Sequence, residues 1–207
     1  MKREEVLSVF RQKNSEFDVL VIGGGATGLG VAVDAAARGY KVALCEQHDF
    51  AKGTSSRSTK LVHGGVRYLA QGDVRLVIEA LRERGRMRHN APHLVRDMRF
   101  IIGAYRWWEK IFYTIGLTMY DILAGGLGFG RSLPMRKASV KKELPGLASE
   151  GLRGGIVYHD GQFDDSRLAI TLMQTAQDYG AHCLNYCRVE SFLKSDNNQI
   201  NGHLLAR

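Results

Sequence analysis

The first hydrophobic stretch of the chain is a short run that a cluster of glycines ends. Residues 17–22 read FDVLVI, and a run this short and this rich in β-branched side chains predicts a buried strand. Small residues without proline occupy 26–38 and predict a helix, which Gly39 ends. A second apolar run at 41–46, KVALCE, predicts another strand. This β-α-β unit implies two parallel strands joined by a right-handed crossover.

Helix and strand patterns continue to the end of the chain. Further helices are expected over 1–16, an amphipathic lead-in, and over 73–90 and 164–179. Arginines occupy the exposed side of the second of these, whereas the third is capped by Asp164, Asp165 or Ser166 and ends at Gly180. Strands are expected over 182–187, 188–194 and 199–207, the last two as a hairpin that turns at 196–198. This order predicts the α/β class with a Rossmann-like, doubly wound domain.

The composition and the charge limit the classes of partner. The 207 residues are 44% hydrophobic and 24% charged, as in ordinary globular chains that bury a sizeable core. A net charge of +8 suits nucleic acid, an anionic membrane surface or an anionic small ligand. The basic residues are spread from Arg57 to Arg153 without zinc-ligand spacing or an arginine-rich tail, so nucleic acid is not expected.

The cysteines indicate a reducing compartment. The chain has three of them, and its start lacks the apolar run of a signal peptide, so we expect a cytoplasmic protein. Cys183 and Cys187 have no second ligand pair after them, and we expect no metal site.

A glycine motif follows the first predicted strand. Gly23-x-Gly25-x-x-Gly28 lies between a strand and a helix, and Glu46 ends the next strand, which is the context of a dinucleotide site. Gly23 permits the tight turn, Gly25 the approach of a pyrophosphate, and Gly28 close packing of helix on strand. Glu46 suits an adenosine ribose and disfavours NADP. FAD and NAD remain alternatives, since both carry adenosine diphosphate.

A polar segment comes soon after. Residues 54–69 read TSSRSTKLVHGGVRYL and combine hydroxyls, glycines and cations, which suit either a polar ring system with a phosphate or an exposed loop. With VIGGGATGLG (21–30), APHLVRDMRF (91–100) and DDSRL (164–168), this segment resembles FAD-dependent glycerol-3-phosphate dehydrogenases, from about Phe17 to the end of the chain. Amino-acid oxidase-like flavoenzymes share the glycine motif but not the whole series.

The resemblance implies a fold, a reaction and a set of site residues. It implies an FAD-binding domain with part of an inserted α+β substrate domain, and oxidation of sn-glycerol 3-phosphate to dihydroxyacetone phosphate with electrons passed to a quinone. The implied substrate-binding residues are Arg67 and Tyr68. The implied FAD-binding residues are Gly23, Gly25, Gly28, Glu46, Thr54, Ser55, Ser58, Lys60, Leu61, His63, Gly64, Gly65 and Val189.

The resemblance also divides the chain. Residues 1–16 are the lead-in, 17–100 the first part of the FAD-binding domain, 101–163 the inserted segment, and 164–207 the return to an incomplete FAD-binding domain. Because the chain stops inside its last predicted strand, we expect a fragment that is inactive alone, with further substrate-binding cations beyond Arg207.

His63 has two alternative roles. Oxidation of a carbinol needs a base for the hydroxyl proton, and an imidazole with an ordinary pKa of about 6.5 can serve. His63 can equally be a hydrogen-bonding partner of the flavin.

Segment 100–130 combines aromatic and basic residues and suits a membrane interface, although its charge-free runs are too short to span a bilayer. The resemblance therefore implies a peripheral protein at the inner face of the cytoplasmic membrane, and a homodimer is left open. The alternative functions are an oxygen-dependent glycerol-3-phosphate oxidase, an amino-acid-oxidase-like flavoenzyme and a dinucleotide-binding module without turnover.

Overall fold

The chain folds into two compact units. A computed structural model describes residues 3–12, 15–195 and 200–206. Unit 1 comprises residues 1–59 and 164–207, and unit 2 comprises residues 60–163. The helices are α1 (Arg3–Arg11), α2 (Ala26–Ala37), α3 (Val66–Ala70), α4 (Val74–Asn90), α5 (Trp107–Ala124), α6 (Lys137–Glu143) and α7 (Asp165–Asp178). The strands are β1 (Val19–Ile22), β2 (Val42–Cys45), β3 (Leu61–Val62), β4 (Val95–Ala104), β5 (Leu133–Met135), β6 (Gly154–Phe163), β7 (His182–Leu184), β8 (Arg188–Lys194) and β9 (Ile200–Ala206).

Unit 1 contains the predicted β-α-β unit. Strands β1 and β2 pair in parallel, with Val19 opposite Val42, and β7 adds a third parallel strand on the other side of β2. All four residues of β2 are buried, as expected of a central parallel strand. The prediction of an α/β fold is confirmed.

Helices cover both faces of this sheet. Side chains alternate along a strand, and consecutive residues of β7 therefore face opposite ways. Cys183 packs in a cluster with Leu29 of α2 and Ala169 of α7, whereas Leu184 packs with Val6 of α1. Small residues on α2 and α7 bring the two helices close together on the first face. This arrangement is the predicted doubly wound one.

The ends of α7 and the following hairpin also match the sequence patterns. Asp164 is the cap of α7, since its carboxylate accepts a hydrogen bond from the Arg167 N–H, and Gly180 follows the helix with a φ of +93°. Strands β8 and β9 pair antiparallel, with Val189 opposite Leu205. The predicted turn at 196–198 lies outside the described residues.

Unit 2 is built around β6. This strand pairs antiparallel with β4 over its whole length and also with β3 and β5. Because side chains alternate, Asp160 faces α4 and α5, whereas Val157 faces a cluster that includes Val140 of α6. The unit is an α+β arrangement, as expected of the inserted domain.

The units divide the chain at a different place from the predicted segments. The predicted division between residues 100 and 101 falls inside β4, which continues as one strand from Val95 to Ala104. Unit 2 already begins at residue 60, and its end at residue 163 coincides with the predicted return to the first domain. The aromatic and glycine-rich composition begins at residue 100, inside β4. Composition therefore does not mark the boundary between the two units.

Candidate functional site

Two positions of the glycine loop in unit 1, Gly24 and Gly28, leave no room for a side chain. A Cβ on Gly28 would lie 2.1 Å from the Gly23 carbonyl oxygen and 3.2 Å from Val21 Cγ1, so its absence lets α2 pack on the end of β1. Gly23 has a φ of +110°, a conformation that favours glycine. A Cβ on Gly24 would lie 2.6 Å from the Phe50 ring. The loop is thus packed closely against its own backbone at Gly28 and against the Phe50 side chain at Gly24.

Glu46 faces this loop. One carboxylate oxygen accepts the Gly24 N–H and the other accepts the His48 N–H, both at 2.7 Å. The side chain is half-buried at the carboxyl end of β2. Two backbone donors therefore hold the carboxylate beside the glycine loop, the location expected of a ribose-binding acidic residue.

The N-terminus of α2 is capped by a residue distant in sequence. The N-cap residue Gly25 has no side chain to accept a hydrogen bond, and the Ser55 hydroxyl instead accepts the Ala26 N–H at 2.9 Å. Ser55 belongs to a 3₁₀ turn, Thr54–Ser56, that the predicted polar segment forms. The turn thereby brings Thr54 and Ser55 to the end of a helix where anions bind well.

Ser58 is bound to the start of α7. Its N–H and its hydroxyl both donate to one oxygen of Asp165, at 3.0 Å and 2.7 Å. Asp165 is 5% exposed, and its second oxygen accepts the Ser166 N–H. The two motifs TSSRS and DDSRL therefore meet within unit 1.

The next predicted flavin-binding residues, from Lys60 to Gly65, lie in unit 2. Lys60 has a φ of +61°, which is uncommon for a residue with a side chain, and its carbonyl accepts the Phe163 N–H at 3.0 Å. Leu61 is half-buried in β3, opposite Gln162. His63 follows that strand and is exposed, and its Nδ1 accepts the Gly65 N–H at 3.0 Å.

Gly64 rests on a buried polar network. Its N–H donates to the Tyr120 hydroxyl at 2.7 Å, and that hydroxyl donates to Asp160 Oδ2 at 2.9 Å. Arg84 Nη1 donates to Asp160 Oδ1 at 2.7 Å. Tyr120, Arg84 and Asp160 are 1%, 2% and 3% exposed. Burial, followed by the Asp160 charge, raises the pKa of Tyr120 well above its ordinary value, so the phenol stays protonated.

An aromatic ring completes the surroundings of Arg84. The guanidinium lies 4.7 Å from the centroid of Phe129, and the guanidinium of Arg88 lies 4.5 Å from the same ring. Arg84 Nε has no hydrogen-bond partner among the described atoms. The expected exposed arginine face of this helix is therefore wrong for Arg84, because a carboxylate and an aromatic ring offset the cost of burying the guanidinium.

The predicted substrate residues lie on α3. The structure describes the backbone of Arg67 in this helix, and the Arg67 side chain is outside the described part. Tyr68 is exposed and its ring lies against Gly65, where a Cβ would be 2.6 Å from Tyr68 Cδ2. In unit 1, Val189 is half-buried in β8, two residues after Cys187, whose N–H donates to the Glu46 carbonyl.

Four residues of this arrangement are not among the predicted site residues. They are Arg84, Tyr120, Asp160 and Asp165. One signal was available for Arg84, which lies at helical spacing from Val77 and Leu81 and therefore on the apolar side of α4. The site partners of the other three are 36 or more positions away, and no local pattern reports them.

Comparison with known proteins identifies the family. The sequence model of the family described as FAD dependent oxidoreductase matches residues 18–204. The chain belongs to this family. Membership confirms FAD as the predicted cofactor, since the family is defined by its dependence on FAD. The closely packed glycine loop and the carboxylate beside it fit the adenosine diphosphate half of FAD.

Two relatives with high sequence identity are mitochondrial glycerol-3-phosphate dehydrogenases. The chain is 48% identical over 190 residues to mitochondrial glycerol-3-phosphate dehydrogenase of Rattus norvegicus, which covers 88% of the chain and 26% of that protein. The Schizosaccharomyces pombe mitochondrial enzyme is 46% identical over 197 residues, covering 92% of the chain and 30% of that protein. The chain thus spans less than a third of the length of these two relatives.

Solved structures share the fold. Glycerol-3-phosphate dehydrogenase from Bacillus halodurans, complexed with FAD, superposes with a TM-score of 0.71 at 32% identity, covering 99% of this chain and 32% of that one. L-α-glycerophosphate oxidase from Mycoplasma pneumoniae has a TM-score of 0.64 at 18% identity, covering 87% of this chain and 47% of that one, which shows the fold alone.

The described helices and side chains also bear on membrane insertion and on metal binding. None of the helices within residues 3–12, 15–195 and 200–206 combines the length and the hydrophobicity that a membrane-spanning segment requires. In the same part of the chain, no three His, Cys, Asp or Glu side chains are grouped so as to hold a metal ion.

Proposed function

We propose that the protein carrying this chain oxidises sn-glycerol 3-phosphate to dihydroxyacetone phosphate with FAD and passes the electrons to a quinone. The similarity to glycerol-3-phosphate dehydrogenases, at 48% identity to the rat enzyme over 190 residues, supports the substrate. The quinone as electron acceptor is implied by the resemblance to FAD-dependent glycerol-3-phosphate dehydrogenases.

The observation that carries the proposal is the contact between Glu46 and the glycine loop. The Glu46 carboxylate is held by the Gly24 N–H at 2.7 Å, next to the N-terminus of α2. A helix N-terminus favours the diphosphate of a dinucleotide, and the neighbouring carboxylate favours a ribose with free hydroxyls. A 2′-phosphate at this position would be repelled by the carboxylate charge.

The residues that would hold FAD are those predicted from the resemblance. Gly23, Gly25 and Gly28 would face the diphosphate, Glu46 the ribose, and the segment from Thr54 to Gly65 the flavin. Once bound, FAD supplies the hydride acceptor. The contribution of the chain is to bind the cofactor through backbone groups, which glycines leave open to close approach.

Arg67 and Tyr68 would bind the substrate. Glycerol 3-phosphate carries a phosphate that is mostly dianionic at pH 7, and a guanidinium offers it two parallel donors. Both residues lie on α3, directly after the His63-Gly64-Gly65 turn. Further cations, beyond the residues of this chain, are expected to complete the phosphate site.

The contact made by His63 bears on its two alternative roles. Because Nδ1 accepts the Gly65 N–H, a neutral His63 carries its proton on Nε2 and donates from there. This form favours the role of hydrogen-bonding partner. Abstraction of the substrate hydroxyl proton by Nδ1 would require the Gly65 contact to open.

An oxygen-dependent oxidase would catalyse the same oxidation of glycerol 3-phosphate and would differ in its electron acceptor. The Mycoplasma pneumoniae oxidase is 18% identical to the chain, whereas the rat and Schizosaccharomyces pombe dehydrogenases are 48% and 46% identical and the Bacillus halodurans dehydrogenase is 32% identical. This contrast favours the dehydrogenase. L-proline dehydrogenase and glycine oxidase are also structural neighbours, at 19% and 20% identity, which supports a shared fold and not a shared substrate.

An anaerobic absorption experiment on the full-length protein tests the substrate. We expect the yellow flavin absorbance to bleach on addition of sn-glycerol 3-phosphate and to persist with glycerol, proline or glycine. Bleaching by an amino acid alone would overturn the proposal. Re-oxidation of the bleached protein then tests the acceptor: a soluble quinone analogue should restore the colour faster than oxygen, and stoichiometric peroxide would favour the oxidase.

The exposed side of α5 supports contact with a membrane surface. Large apolar residues form what we call the α5 apolar stripe: Trp107, Trp108, Ile111, Phe112, Ile115, Met119 and Ile122. Their side chains are 45–72% exposed, and aromatic residues favour the lipid–water interface. Electron transfer to a membrane quinone would require such contact.

Vesicle co-sedimentation of the full-length protein tests the stripe. The double variant Trp107→Ser and Ile122→Ser should lose binding to vesicles of neutral and anionic phospholipid. The matched control is Tyr40→Ser with Tyr179→Ser, which removes two exposed aromatics of unit 1 and should bind as before. Failure of the unaltered protein to bind at any anionic lipid content would end the idea.

A further inference from the structure

The hydroxyl of Tyr120 has a fixed orientation. Asp160 is paired with Arg84 at 2.7 Å and also accepts the Gly161 N–H at 3.1 Å. A carboxylate held in this way accepts hydrogen bonds and does not donate them, so the Tyr120 hydroxyl must point its proton at Asp160. Its lone pair is then aimed at the Gly64 N–H, which donates at 2.7 Å.

Gly64 is pressed against the same network. A Cβ on Gly64 would lie 2.4 Å from Leu81 Cδ2 and 2.6 Å from the Tyr120 oxygen. The next amide, of Gly65, donates to His63 Nδ1. Two consecutive backbone N–H groups of the turn are thus fixed, one by a buried phenol and one by the imidazole that the turn carries.

We propose that Tyr120, oriented by Asp160 and Arg84, is a positioning residue that sets the backbone of the His63-Gly64-Gly65 turn for the flavin. The proposal rests on the proposed function, in which this turn lies beside the flavin ring. Tyr120 acts through Gly64 and need not touch substrate or cofactor. A buried ion pair contributes little stability beyond what apolar side chains of similar size would contribute. Orienting the Tyr120 hydroxyl gives the Arg84–Asp160 pair a role that stability alone does not explain.

The test compares two tyrosine variants of the full-length protein loaded with FAD. Tyr120→Phe removes the acceptor of the Gly64 N–H and keeps the ring. Tyr105→Phe is the matched control in unit 2, because its hydroxyl also makes a hydrogen bond, to the Ala148 carbonyl at 3.0 Å. The readouts are the visible spectrum of the bound flavin, kcat and KM with sn-glycerol 3-phosphate, and the melting temperature.

A positioning role predicts a specific pattern. Tyr120→Phe should shift the flavin absorbance bands and lower kcat by tenfold or more, since small misplacements near a reacting group cost up to about 10²-fold, with KM nearly unchanged. Tyr105→Phe should leave the spectrum and kcat as they were. Loss of bound FAD from a folded Tyr120→Phe protein would also support the proposal.

Other outcomes separate the two proposals. Two variants with equally lowered melting temperatures and unchanged spectra and kcat would overturn the positioning role. If Tyr120→Phe does not fold, Asp160→Asn takes its place, because an amide donor facing Tyr120 turns the hydroxyl away from its present orientation and should shift the same bands. If the unaltered protein binds FAD without bleaching by sn-glycerol 3-phosphate, the proposed function fails, and the flavin spectra still decide the role of Tyr120.

Discussion

Asp165 accepts both polar protons of Ser58, the N–H at 3.0 Å and the hydroxyl at 2.7 Å. The two residues are 107 positions apart, and the carboxylate is buried at the start of α7. The contact fixes the predicted flavin-binding segment to a helix that packs on α2. Stability and cofactor binding should therefore depend on one carboxylate that has no expected contact with FAD.

Replacing Asp165 by Asn should destabilise the protein. The carboxylate accepts from Ser58 and from Ser166, and an amide would turn an N–H₂ group towards one of these donors. A buried donor left without a partner costs about 1–3 kcal/mol. We expect the free energy of unfolding, measured with urea, to fall by that amount, together with a weaker affinity for FAD.

Asp164→Asn is the matched control for this change. Asp164 caps α7 from an exposed position by accepting the Arg167 N–H, and Asn caps helices as well as Asp does. The control should unfold at nearly the urea concentration of the unaltered protein. Equal effects of the two variants would refute the special role of Asp165.

Gly28→Ala should disrupt the cofactor site. The added Cβ would lie 2.1 Å from the Gly23 carbonyl oxygen, so α2 and the loop must move apart. Overpacking of this kind costs about 1–3 kcal/mol, and the displaced loop should bind FAD weakly. Gly30→Ala, in the same helix with open space around it, should instead raise stability by about 0.5–1 kcal/mol. FAD retention and thermal unfolding measure both; full FAD binding by Gly28→Ala would contradict the packing argument.

Two variants of His63 distinguish its alternative roles. His63→Asn offers an oxygen near Nδ1 that can accept the Gly65 N–H, whereas His63→Ala cannot. If His63 is a hydrogen-bonding partner, as the Gly65 contact favours, Asn should retain activity better than Ala. If His63 is the base, both variants should lose about 10²–10⁴-fold in kcat. Steady-state kinetics with sn-glycerol 3-phosphate measure the difference.

The cysteines should be inert in the folded protein. Cys45, Cys183 and Cys187 are buried, and burial raises the pKa of Cys45 to about 12 and that of Cys183 to about 11. Since the thiolate is the reactive form, iodoacetamide should label them slowly at mildly alkaline pH and quickly in urea. Rapid labelling without urea would contradict the buried location.

The same pKa shifts make stability fall at high pH. Thiols of the unfolded chain ionise near pH 8.5, whereas the folded ones resist ionisation. The folded state therefore holds its protons longer, and this stabilisation is complete below about pH 8.5 and is lost as the pH rises towards the folded pKa values. Urea unfolding of Cys45→Ala should show a weaker decline with pH than the unaltered protein.

The parts of the fold that the sequence predicted are local. β1, α2 and β2 follow from an apolar run, small helix-forming residues and a second run within about thirty positions, and the contact of Glu46 with the loop follows from the parallel pairing of the two strands. The cap Asp164 and the end at Gly180 likewise depend on neighbours in sequence.

The parts that it did not predict depend on distant partners. The sequence predicts a solvent-exposed Arg84, and only the fold places Asp160, 76 positions away, against it in unit 2. Tyr120 belongs to an aromatic stretch that predicts either a membrane-contacting surface or internal packing. Its hydrogen bond with the Gly64 N–H depends on the fold. The sequence did not predict the extent of unit 2 either, because β4 continues as one strand across the change in composition at residue 100.

Unit 1 is discontinuous along the chain, with residues 60–163 placed between its two parts. A ribosome releases β1 and β2 long before β7, so the central strand β2 lacks one neighbour until all of unit 2 has been synthesised. Unit 2 is continuous and domains generally fold as units during synthesis, so it can acquire its structure first. Nascent chains that stop before residue 182 should then expose the edge of β2 and depend on chaperones, whereas those that include β7 should not.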